Sequence, residues 1–565
     1  MAKVYGIDLG TTYSVIATLN ESGMPEVIEN YNDSGQLLAS AVYFPSSGDP
    51  VVGEAAKNQT ELEPDRVVQF VKREIGKDDA QIREFNGKKY DPIEISSLIL
   101  KRMKEYAEAQ GHEVNDVVIT CPAYFGNEER AATKQAGIIA GLNVLNIVNE
   151  PTAAALNYCC REFRENRKIM VYDLGGGTFD ITLFDFSVDD NGKASIDVIE
   201  TGGNDRLGGI DWDARLFDYI CKLYTDEHGI NQNEMDAELR QKIRSQVEGI
   251  KRDISNLPSK SFTISYAGDS TRLEVTREKF EEQTQDLVAQ TMDFVHQLLD
   301  QVKLSADKVD VVLLVGGSTM MPMIKKAVEE LFPKKVRVEQ PNLAVAKGAA
   351  LAAAIEWNER ILKRLDGSDP NSGAAQGGNE EALPKITKKE AAELMINVPQ
   401  QVSTVSDKLT RSLGPGVFVE DGKYMIDNLL FIGDEIPAEA SATYGTRTAN
   451  QQEVKVVVFE NVSRDRVNKH ITPSIDENDN KQYTDPALKV KDIGNVTLEL
   501  PPNTAQGAPI EVVFRASAIG LEVRATNLET GESAEAIITT ENTKTQEELD
   551  EAKKRFASIK TSGQI

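Results

Sequence analysis

The spacing of hydrophobic positions divides the chain into two regions of different periodicity. Up to about residue 358, apolar runs such as IDVIET and VDVVLLVGGS, which are typical of buried strands, alternate with the amphipathic runs IEISSLILKRMKEYAEA and EERAATKQAGIIAGL. The amphipathic runs have the spacing of helices with one buried face. Alternation of strands and helices along a chain is typical of α/β proteins. We therefore predict an α/β domain over residues 1–358.

Beyond residue 412 the pattern changes to short alternating strands. Segments such as VKVVVFE, IEVVFRA and LEVRATN alternate apolar and polar residues and are separated by turns such as NLETGE. Short strands spaced in this way indicate an antiparallel β-sandwich or barrel, and we predict a β-sandwich domain over residues 412–541. Thr545 and Glu548 then have the spacing of a capping box ahead of an apolar stripe, which predicts a short helix over residues 545–560.

Residues 359–411 are predicted to link the two domains. They contain the stretch DGSDPNSGAAQGGNEEALP at 366–384, whose Gly, Ser, Asn and Pro content predicts a flexible segment. The run ITKKEAAELM at 386–395 has helical character. Two interpretations of this run remain open, a helix docked on the first domain and a helix surrounded by solvent.

Two similar hairpins occur within the first domain. The N-terminal segment KVYGIDLGTTYSVIATL is similar to KIMVYDLGGGTFDITLF at residues 168–184. In each copy a strand ends in Asp-Leu-Gly, a turn of small residues follows, and a second strand returns. The turn residues are Gly10, Thr11 and Thr12 in the first copy and Gly175, Gly176, Gly177 and Thr178 in the second. Small side chains let backbone N–H groups surround an anion, so the duplication predicts a repeated fold whose two copies face one cleft.

Each of these turns is preceded by a carboxylate, Asp8 in the first copy and Asp173 in the second. A carboxylate is stable beside a phosphate when a hard cation lies between them, and Mg²⁺ held largely through water fits this role. The hydroxyl groups of Thr11, Thr12 and Thr178 could donate to phosphate oxygens. Together these residues predict a site for Mg²⁺ and phosphate in the cleft.

A third glycine turn, LLVGGST at 313–319, follows a strongly apolar strand. Because Gly316 and Gly317 carry no side chain, a flat ligand can lie against the backbone at this turn. The turn therefore predicts a place for the adenosine end of a nucleotide.

The chain is strongly acidic. Its 565 residues include 63 Lys and Arg against 90 Asp and Glu, a formal net charge of −27. Nucleic-acid binding needs Lys and Arg to displace counterions from phosphates, and anionic membranes repel an acidic surface. No apolar run approaches the roughly 18 residues that span a bilayer, and the N-terminal residues lack the pattern of a secretion signal. We predict a cytoplasmic protein without nucleic-acid or membrane partners.

Six motifs, in chain order, connect this sequence with a known family. They are IDLGTT, CPAYF, NEPTAAAL, DLGGGTFD, LVGGST and AVAKGAA. The chain resembles the seventy-kilodalton heat-shock chaperones of the DnaK type, closely over residues 1–358 and more loosely over 400–540. The resemblance implies an actin-like (duplicated ribonuclease-H-like) ATPase domain that hydrolyses ATP to ADP and phosphate, followed by a β-domain.

The resemblance also implies roles for individual residues. Asp8 and Asp173 would organise Mg²⁺, and Lys72 would reach the transferring phosphate, where a cation offsets the charge of the phosphate oxygens. Glu150 would position the attacking water, and Asp180 would lie near this water and a monovalent cation, for which K⁺ is the candidate. Lys72, Glu150, Asp173 and Asp180 form the implied catalytic group. The implied nucleotide-binding residues are Gly10, Thr11, Thr12, Tyr13, Gly175, Gly176, Gly177, Thr178, Glu248, Lys251, Arg252, Ser255, Gly316, Gly317, Ser318, Met320 and Asn342.

Three departures from the family's pattern bear on function. Met320 replaces an arginine that stacks on adenine, so the thioether can still pack on the base but the cation–π attraction is lost, which predicts lower nucleotide affinity. VSTVSD at 402–407 is more polar than the family's apolar interdomain linker, which predicts that its docking on the ATPase domain is weakened or displaced. The chain also ends soon after the β-domain, without the family's helical lid, which predicts an open groove and weak peptide binding.

Two functions fit these patterns. The first is an ATP-dependent chaperone whose β-domain binds extended unfolded polypeptide, with J-domain co-chaperones and nucleotide exchange factors as the partners that the resemblance implies. The alternative is a nucleotide-dependent interaction module whose β-domain binds one specific folded partner. A small-molecule kinase of the same fold is disfavoured, because it has no use for the β-domain.

Overall fold

The structure, a computed structural model, describes residues 3–30, 35–162, 165–190, 193–338, 340–366, 385–398, 402–419, 423–467, 470–471, 473–475, 481–483, 488–518, 520–538 and 542–564. The segment predicted to be flexible, 366–384, lies outside these residues except for its first residue. None of the helices in the described part of the chain is long and apolar enough to cross a membrane. The helices are α1 (Glu54–Asn58), α2 (Pro92–Glu108), α3 (Asn127–Ile139), α4 (Glu150–Glu162), α5 (Gly209–His228), α6 (Ala237–Asn256), α7 (Arg277–Gln301), α8 (Pro322–Leu331), α9 (Ala344–Asp366), α10 (Lys388–Leu394) and α11 (Gln546–Ala557).

The strands of the described residues are short in most of the chain. They are β1 (Val4–Asp8), β2 (Tyr13–Leu19), β3 (Pro25–Val27), β4 (Leu38–Ala39), β5 (Ala41–Tyr43), β6 (Val51–Val52), β7 (Val67–Gln69), β8 (Arg83–Phe85), β9 (Lys88–Tyr90), β10 (Asp116–Cys121), β11 (Asn143–Asn149), β12 (Arg167–Leu174), β13 (Phe179–Val188), β14 (Ala194–Asn204), β15 (Ser259–Tyr266), β16 (Asp269–Thr276), β17 (Val311–Val315), β18 (Val336–Val338), β19 (Val402–Lys408), β20 (Ser412–Phe418), β21 (Tyr424–Asp427), β22 (Glu435–Ile436), β23 (Ala438–Gly445), β24 (Glu453–Asn461), β25 (His470–Ile471), β26 (Pro473–Ile475), β27 (Lys481–Tyr483), β28 (Lys491–Glu499), β29 (Pro509–Ser517), β30 (Gly520–Asn527) and β31 (Ser533–Ile537).

Two sheets with the same strand order form the centre of the first domain. In the first lobe the order is β11-β10-β1-β2-β3, and in the second lobe it is β18-β17-β12-β13-β14, which continues into the linker. In each lobe the first strand of an antiparallel hairpin, β1 or β12, also pairs in parallel with a later strand, β10 or β17. The matching orders agree with the duplication that the two hairpin sequences predict.

Helices α4 and α9 pack against both sheets and join the two lobes. Their cluster of buried apolar residues includes Val4 of β1 and Val171 of β12. The backbone of α9 approaches those of α4 and β1 so closely that only glycine fits at the two contact points. A Cβ atom at Gly348 of α9 would lie 1.7 Å from the carbonyl oxygen of Ala153, and one at Gly6 of β1 would lie 2.0 Å from a backbone nitrogen of α9.

The C-terminal part of the chain contains two antiparallel sheets. Their orders are β25-β21-β20-β24-β28 and β23-β29-β30-β31. Alternate residues of both sheets, Val458 and Phe514 among them, contribute to one buried hydrophobic cluster. This agrees with the alternation seen in the sequence, and the assignment of the two sheets to a β-sandwich over residues 412–541 stays a prediction.

The polar linker segment is docked on the second lobe, and the prediction that this docking is weaker or displaced relative to the family stays a prediction. Strand β19 adds to the edge of the second-lobe sheet by pairing in parallel with β14. The side chain of Asp407 also accepts a hydrogen bond from Thr152 at 2.7 Å. Strand addition uses backbone N–H and C=O groups, so a polar segment such as VSTVSD can dock without apolar side chains.

The run at 386–395 is a docked helix, the first of the two interpretations left open. The indole Nε1 of Trp357 on α9 donates to the carbonyl oxygen of Leu394 at 2.9 Å. Asn358 and Ile396 exchange two hydrogen bonds of 2.8 Å. Because α9 continues to Asp366, the predicted domain boundary at 358 falls inside a helix.

The last helix, α11, packs on the first lobe. It has the capping box of Thr545 and Glu548 that the sequence predicts. Its buried residues Leu549, Ala552 and Phe556 belong to the hydrophobic core of that lobe.

Truncating Phe556 should therefore destabilise the first lobe. Its ring is fully buried, and Phe556→Ala is expected to cost about 3–5 kcal/mol, because it leaves a cavity in the core. Chemical unfolding followed by fluorescence measures this loss. Lys553→Ala, an exposed position on the same helix, should change the free energy of unfolding by less than about 0.5 kcal/mol. Equal effects of the two substitutions would contradict the packing of α11.

Carboxylates are concentrated where the β-domain meets the first lobe. Glu460 of β24 is 7% exposed and lies close to Glu128 and Glu129 of α3. Its ion pair with Arg411 is long, with 4.0 Å between Nε and Oε1. Lys491 forms ion pairs with Glu128 and with an aspartate of the first lobe. Burial, reinforced by the charges of Glu129 and Glu128, raises the pKa of Glu460 to about 7.

The stability of this interface should fall as the pH rises. A carboxyl with a raised pKa in the folded state binds its proton more tightly there, so its contribution is complete below about pH 4.5 and is lost through about pH 7. Glu460→Gln should remove this dependence, making the variant more stable than the parent by up to about 3 kcal/mol at pH 8. Thermal unfolding at pH 5 to 8 tests this, with the exposed Glu227→Gln as control. Parallel pH profiles of parent and Glu460→Gln would contradict it.

Candidate functional site

A cavity of about 360 Å³ lies between the two lobes. Its walls come from the turns of the β1–β2 and β12–β13 hairpins, from α6 and from the glycine turn after β17. The sequence-predicted residues that line it are Asp8, Gly10, Thr11, Thr12, Tyr13, Lys72, Glu150, Asp173, Gly175, Gly176, Thr178, Glu248, Lys251, Arg252, Ser255, Gly316, Gly317, Ser318, Met320 and Asn342. The structure thus brings three separate turns to one cleft, although the role of each residue stays a prediction.

Two predicted residues lie behind the cavity wall. A Cβ atom at Gly177 would lie 2.6 Å from the methyl group of Thr11, so this glycine lets the two turns touch. Asp180 is 1% exposed and accepts a hydrogen bond from the backbone N–H of Ala123 at 3.0 Å. Its other oxygen, Oδ2, is buried and has no hydrogen-bond donor among the described residues. An unpaired carboxylate oxygen of this kind fits a monovalent cation such as K⁺.

Buried carboxylates surround Lys72 at the base of the cavity. Lys72 is 5% exposed and forms an ion pair with Glu150. Burial, followed by the charge of Glu150, raises the pKa of Asp8 to about 7 and raises the pKa values of Asp173 and Asp180 well above their usual range. Burial alone would lower the pKa of Lys72, but the charges of Glu150 and Asp8 raise it, so that the amine stays charged.

The cluster of buried carboxyl groups fits a divalent cation. Four carboxyl groups share one lysine in a buried place, and a bound Mg²⁺ would stabilise their ionised forms, which Lys72 alone does not compensate. Asp8 and Asp173 line the cavity at the ends of their strands and are the residues that would hold it. Within the described residues, no group of three or more His, Cys, Asp or Glu side chains is placed to hold a metal ion directly. This donor set fits an ion held mainly through water and phosphate.

Two carbonyl groups of the second glycine turn are held by donors from α5 and from the turn after β17. Gly175 O accepts hydrogen bonds from the N–H of Gly209 at 3.0 Å and from the hydroxyl of Ser318 at 2.8 Å, and Gly176 O accepts from the N–H of Ile210 at 2.8 Å. In a trans peptide the C=O and N–H groups point in opposite directions. The N–H groups that follow these carbonyls therefore point to the other side of the turn and can bind an anion.

The first turn offers a hydroxyl group in addition. Thr12 Oγ1 is buried and has no hydrogen-bond partner within the described part of the chain. An unsatisfied buried hydroxyl costs free energy, and a phosphate oxygen in the cavity would satisfy it. A Cβ atom at Gly176 would lie 1.9 Å from this oxygen, so the two turns meet at this point.

One face of α6 forms the opposite end of the cavity. Lys251 forms an ion pair of 2.8 Å with Asp213 of α5, and Ser255 donates to the carbonyl oxygen of Lys251 at 2.8 Å. Glu248 binds Arg252 at 2.6 Å and also forms an ion pair with a lysine of α1. Glu248, Lys251 and Ser255 are three and four residues apart in the sequence, a spacing that predicts a shared face of the helix.

The side chain of Met320 borders the same end. It is 53% exposed, and its sulfur lies 3.9 Å from Nδ2 of Asn342. A thioether at this place can pack on a flat base.

Sequence reasoning missed several residues of the site. Lys57 donates to the hydroxyl of Tyr13 at 2.7 Å and pairs with Glu248, which connects the two lobes at the open end of the cavity. Asp213 and Gly209 of α5 also line the cavity. The glycine pair at 208–209, ahead of a helix, was a usable signal. Lys57 and Asp213 belong to no local pattern, because their partners lie far away in the sequence.

Comparison with known proteins gives a consistent result. A model of the family described as Hsp70 protein matches residues 4–365. The chaperone protein DnaK of Thermotoga neapolitana is 43% identical over 363 residues, which are 62% of this chain and 59% of that protein. DnaK of Thermosipho melanesiensis is 40% identical over 371 residues, 64% of this chain and 61% of that protein. The chain thus matches less than two thirds of the length of these relatives.

The duplicated sheets around one cleft and the family match over residues 4–365 define the class of protein, one with an actin-like ATPase fold. Within this class, bacterial proteins named DnaK are about 40% identical to the chain over the matched region. The chain belongs to the Hsp70 family, as a DnaK-like member. The identification that the six sequence motifs predict is thereby confirmed.

Gly176→Ala should disrupt the anion site. The added Cβ would displace the hydroxyl of Thr12 and separate the two turns, and we expect nucleotide affinity to fall by about tenfold or more, the equivalent of about 1.4 kcal/mol. Calorimetric titration with ADP and Mg²⁺ measures it.

Gly249→Ala is the matched control for this prediction. Gly249 lies on α6, and a Cβ there meets no atom within 4 Å, so this variant should keep its affinity and gain up to about 1 kcal/mol of helix stability. Unchanged affinity in Gly176→Ala would contradict the proposed contact between the turns and the phosphates.

Proposed function

We propose that this protein binds ATP with Mg²⁺ between its two lobes and hydrolyses it to ADP and phosphate. The observation that carries the proposal is the buried ion pair of Lys72 and Glu150 at the base of the cavity. The turns of the β1–β2 and β12–β13 hairpins, here called the phosphate turns, border this cavity. The DnaK-like relatives support it, because proteins of this family are ATPases by their fold and motifs.

In the proposed reaction each side chain has a separate task. Lys72 offsets the negative charge that spreads over the oxygens of the transferring phosphate. Glu150 accepts a hydrogen bond from the attacking water and orients it towards the phosphorus. The Mg²⁺ ion, held near Asp8 and Asp173, supplies further charge neutralisation when it is bound. The N–H groups of the second glycine turn hold the phosphate chain in place.

We further propose that the β-domain binds extended polypeptide and that nucleotide turnover changes this binding. Strand β19 ties the β-domain to the sheet that carries Asp173, and Lys491 ties it to the first lobe. Both lobes therefore contact the β-domain, which provides a route from the nucleotide to the peptide site. J-domain co-chaperones, nucleotide exchange factors and a cytoplasmic location belong to this proposal by family resemblance.

A second candidate function is favoured by the C-terminal helix. Because α11 packs into the core of the first lobe, the β-domain is held to the ATPase at both of its ends. A β-domain held in this way is suited to one specific folded partner rather than to many unfolded chains. Isolation of a stoichiometric partner would favour this function, and stimulation of turnover by unrelated peptides would favour the first.

Glu150→Gln should separate binding from hydrolysis. The amide keeps the shape of the side chain but cannot orient water as a carboxylate does, so we expect the rate of hydrolysis to fall by about 100-fold or more. The dissociation constant for ATP should change by less than about threefold. Phosphate release and equilibrium binding of a fluorescent nucleotide measure the two effects. Full hydrolysis by the variant would remove Glu150 from the mechanism.

Steady-state hydrolysis with and without a short extended apolar peptide tests the coupling between domains. Stimulation by peptide is the result expected of a chaperone, and it should disappear in Glu150→Gln. Turnover that saturating peptide leaves unchanged would contradict the coupling and support the function with one specific partner. Absence of any hydrolysis or binding of ATP would overturn the proposal as a whole.

A further inference from the structure

Arg73 connects the two lobes beside the phosphate turns. Its Nε donates a hydrogen bond of 2.9 Å to the carbonyl oxygen of Gly177, and its Nη2 forms an ion pair of 2.9 Å with Asp211. The same carboxylate oxygen of Asp211 accepts the N–H of Gly208 at 2.8 Å and so caps α5. Arg73 belongs to the first lobe, whereas its three neighbours belong to the second. It does not line the cavity, and none of the roles described above uses it.

The bond to Gly177 fixes the direction of one peptide group. Because C=O and N–H are opposed in a trans peptide, a donor on the Gly177 oxygen holds the N–H of Thr178 on the side of the turn that faces away from Arg73. Thr178 lines the cavity, whereas Gly177 and Arg73 do not. The donors on the two preceding carbonyl groups come from the second lobe itself. For this third carbonyl the donor comes from the first lobe.

Arg73 is also adjacent to Lys72. Both belong to the 3₁₀ turn Val71–Arg73, with the amine of Lys72 paired to Glu150 and the guanidinium of Arg73 bound to the second lobe. Phe70, which precedes the turn, has a φ of 61°. This left-handed conformation is strained for an aromatic residue, so the surrounding contacts must hold the turn in place. The guanidinium contact is one of those that do so.

We propose that Arg73 is a positioning residue that aligns the second phosphate turn with Lys72. It touches no reacting atom and acts through the peptide group of Gly177 and Thr178. This inference rests on the proposed ATP hydrolysis. In this proposal, the hydrogen bond from Arg73 to Gly177 joins the two lobes. It thereby sets the distance between the N–H group of Thr178 and the ammonium group of Lys72.

Two substitutions separate the hydrogen bond from the ion pair. In glutamine, Nε2 occupies the same place along the side chain as Nε of arginine, so Arg73→Gln keeps a donor for Gly177 but loses the charge that pairs with Asp211. Arg73→Met keeps a stem of equal length and loses both. We expect single-turnover hydrolysis to fall by about 30-fold in Arg73→Met, since a displacement of about 1 Å can cost 100-fold, and by less than about threefold in Arg73→Gln. The dissociation constant for ATP should change by less than about threefold in both.

Lys77→Met is the matched control. Lys77 lies in the same segment and forms an ion pair of 2.6 Å with Asp205 of the second lobe, without contact to the phosphate turns. We expect hydrolysis in this variant to remain within about twofold of the parent. Equal losses in Lys77→Met and Arg73→Met would overturn the inference, because general adhesion between lobes would then explain both.

Three further outcomes of these experiments would each overturn the inference. Hydrolysis in Arg73→Gln as low as in Arg73→Met would overturn the role of the Gly177 bond. A parent protein that binds ATP without any effect of Arg73→Met would overturn the inference and leave the proposed function intact. Failure of the parent to bind or hydrolyse ATP would instead overturn the proposed function itself, and the inference with it.

Discussion

Burial of negative charge in the cleft is the constraint on which the rest of the site depends. Asp8 of β1 and Glu150, directly after β11, come from the first lobe, and Asp173 of β12 and Asp180 of β13 come from the second. Together they surround one lysine. Charges taken out of water cost free energy unless they are paired. Because the carboxyl groups are divided between the two lobes, repulsion between their ionised forms opposes close approach of the lobes. A bound cation and phosphate would offset this repulsion, and the same carboxylates would then help to hold the lobes together. Much of the fold accordingly serves to hold the two turns face to face.

Local chemistry decided which parts of the site could be predicted from sequence. The two hairpins were recognisable because an anion-binding turn needs small residues directly after a strand, and both copies keep that pattern. Lys72 was recognisable only through family resemblance, since a Lys-Arg pair on a short turn is equally typical of a solvated surface. No local sequence pattern indicated the contacts of Arg73 and Lys57. Their partners are a backbone carbonyl and a glutamate of the other lobe, and one sequence does not show which distant residues meet.

The same distinction applies to the fold. Strand and helix periodicity predicted the α/β region, the short strands after residue 412 and the capped final helix. Docking could not be predicted, because it depends on groups that side-chain patterns do not describe. The linker pairs through its backbone, and α10 is held partly by hydrogen bonds to its carbonyl groups. Polarity and amphipathicity, which are the usual guides to burial, do not indicate such backbone contacts.

The position of α11 has a consequence for the order in which the protein can fold during its synthesis. The core of the first lobe contains Ile7 and Leu9 from one end of the chain and Leu549 and Phe556 from the other. A ribosome releases the first group long before it has made the second. Until then the lobe lacks part of its core, and its exposed apolar surface is a candidate for aggregation. The first lobe, although most of it is made early, therefore completes its core only after residues 546–557 have been made.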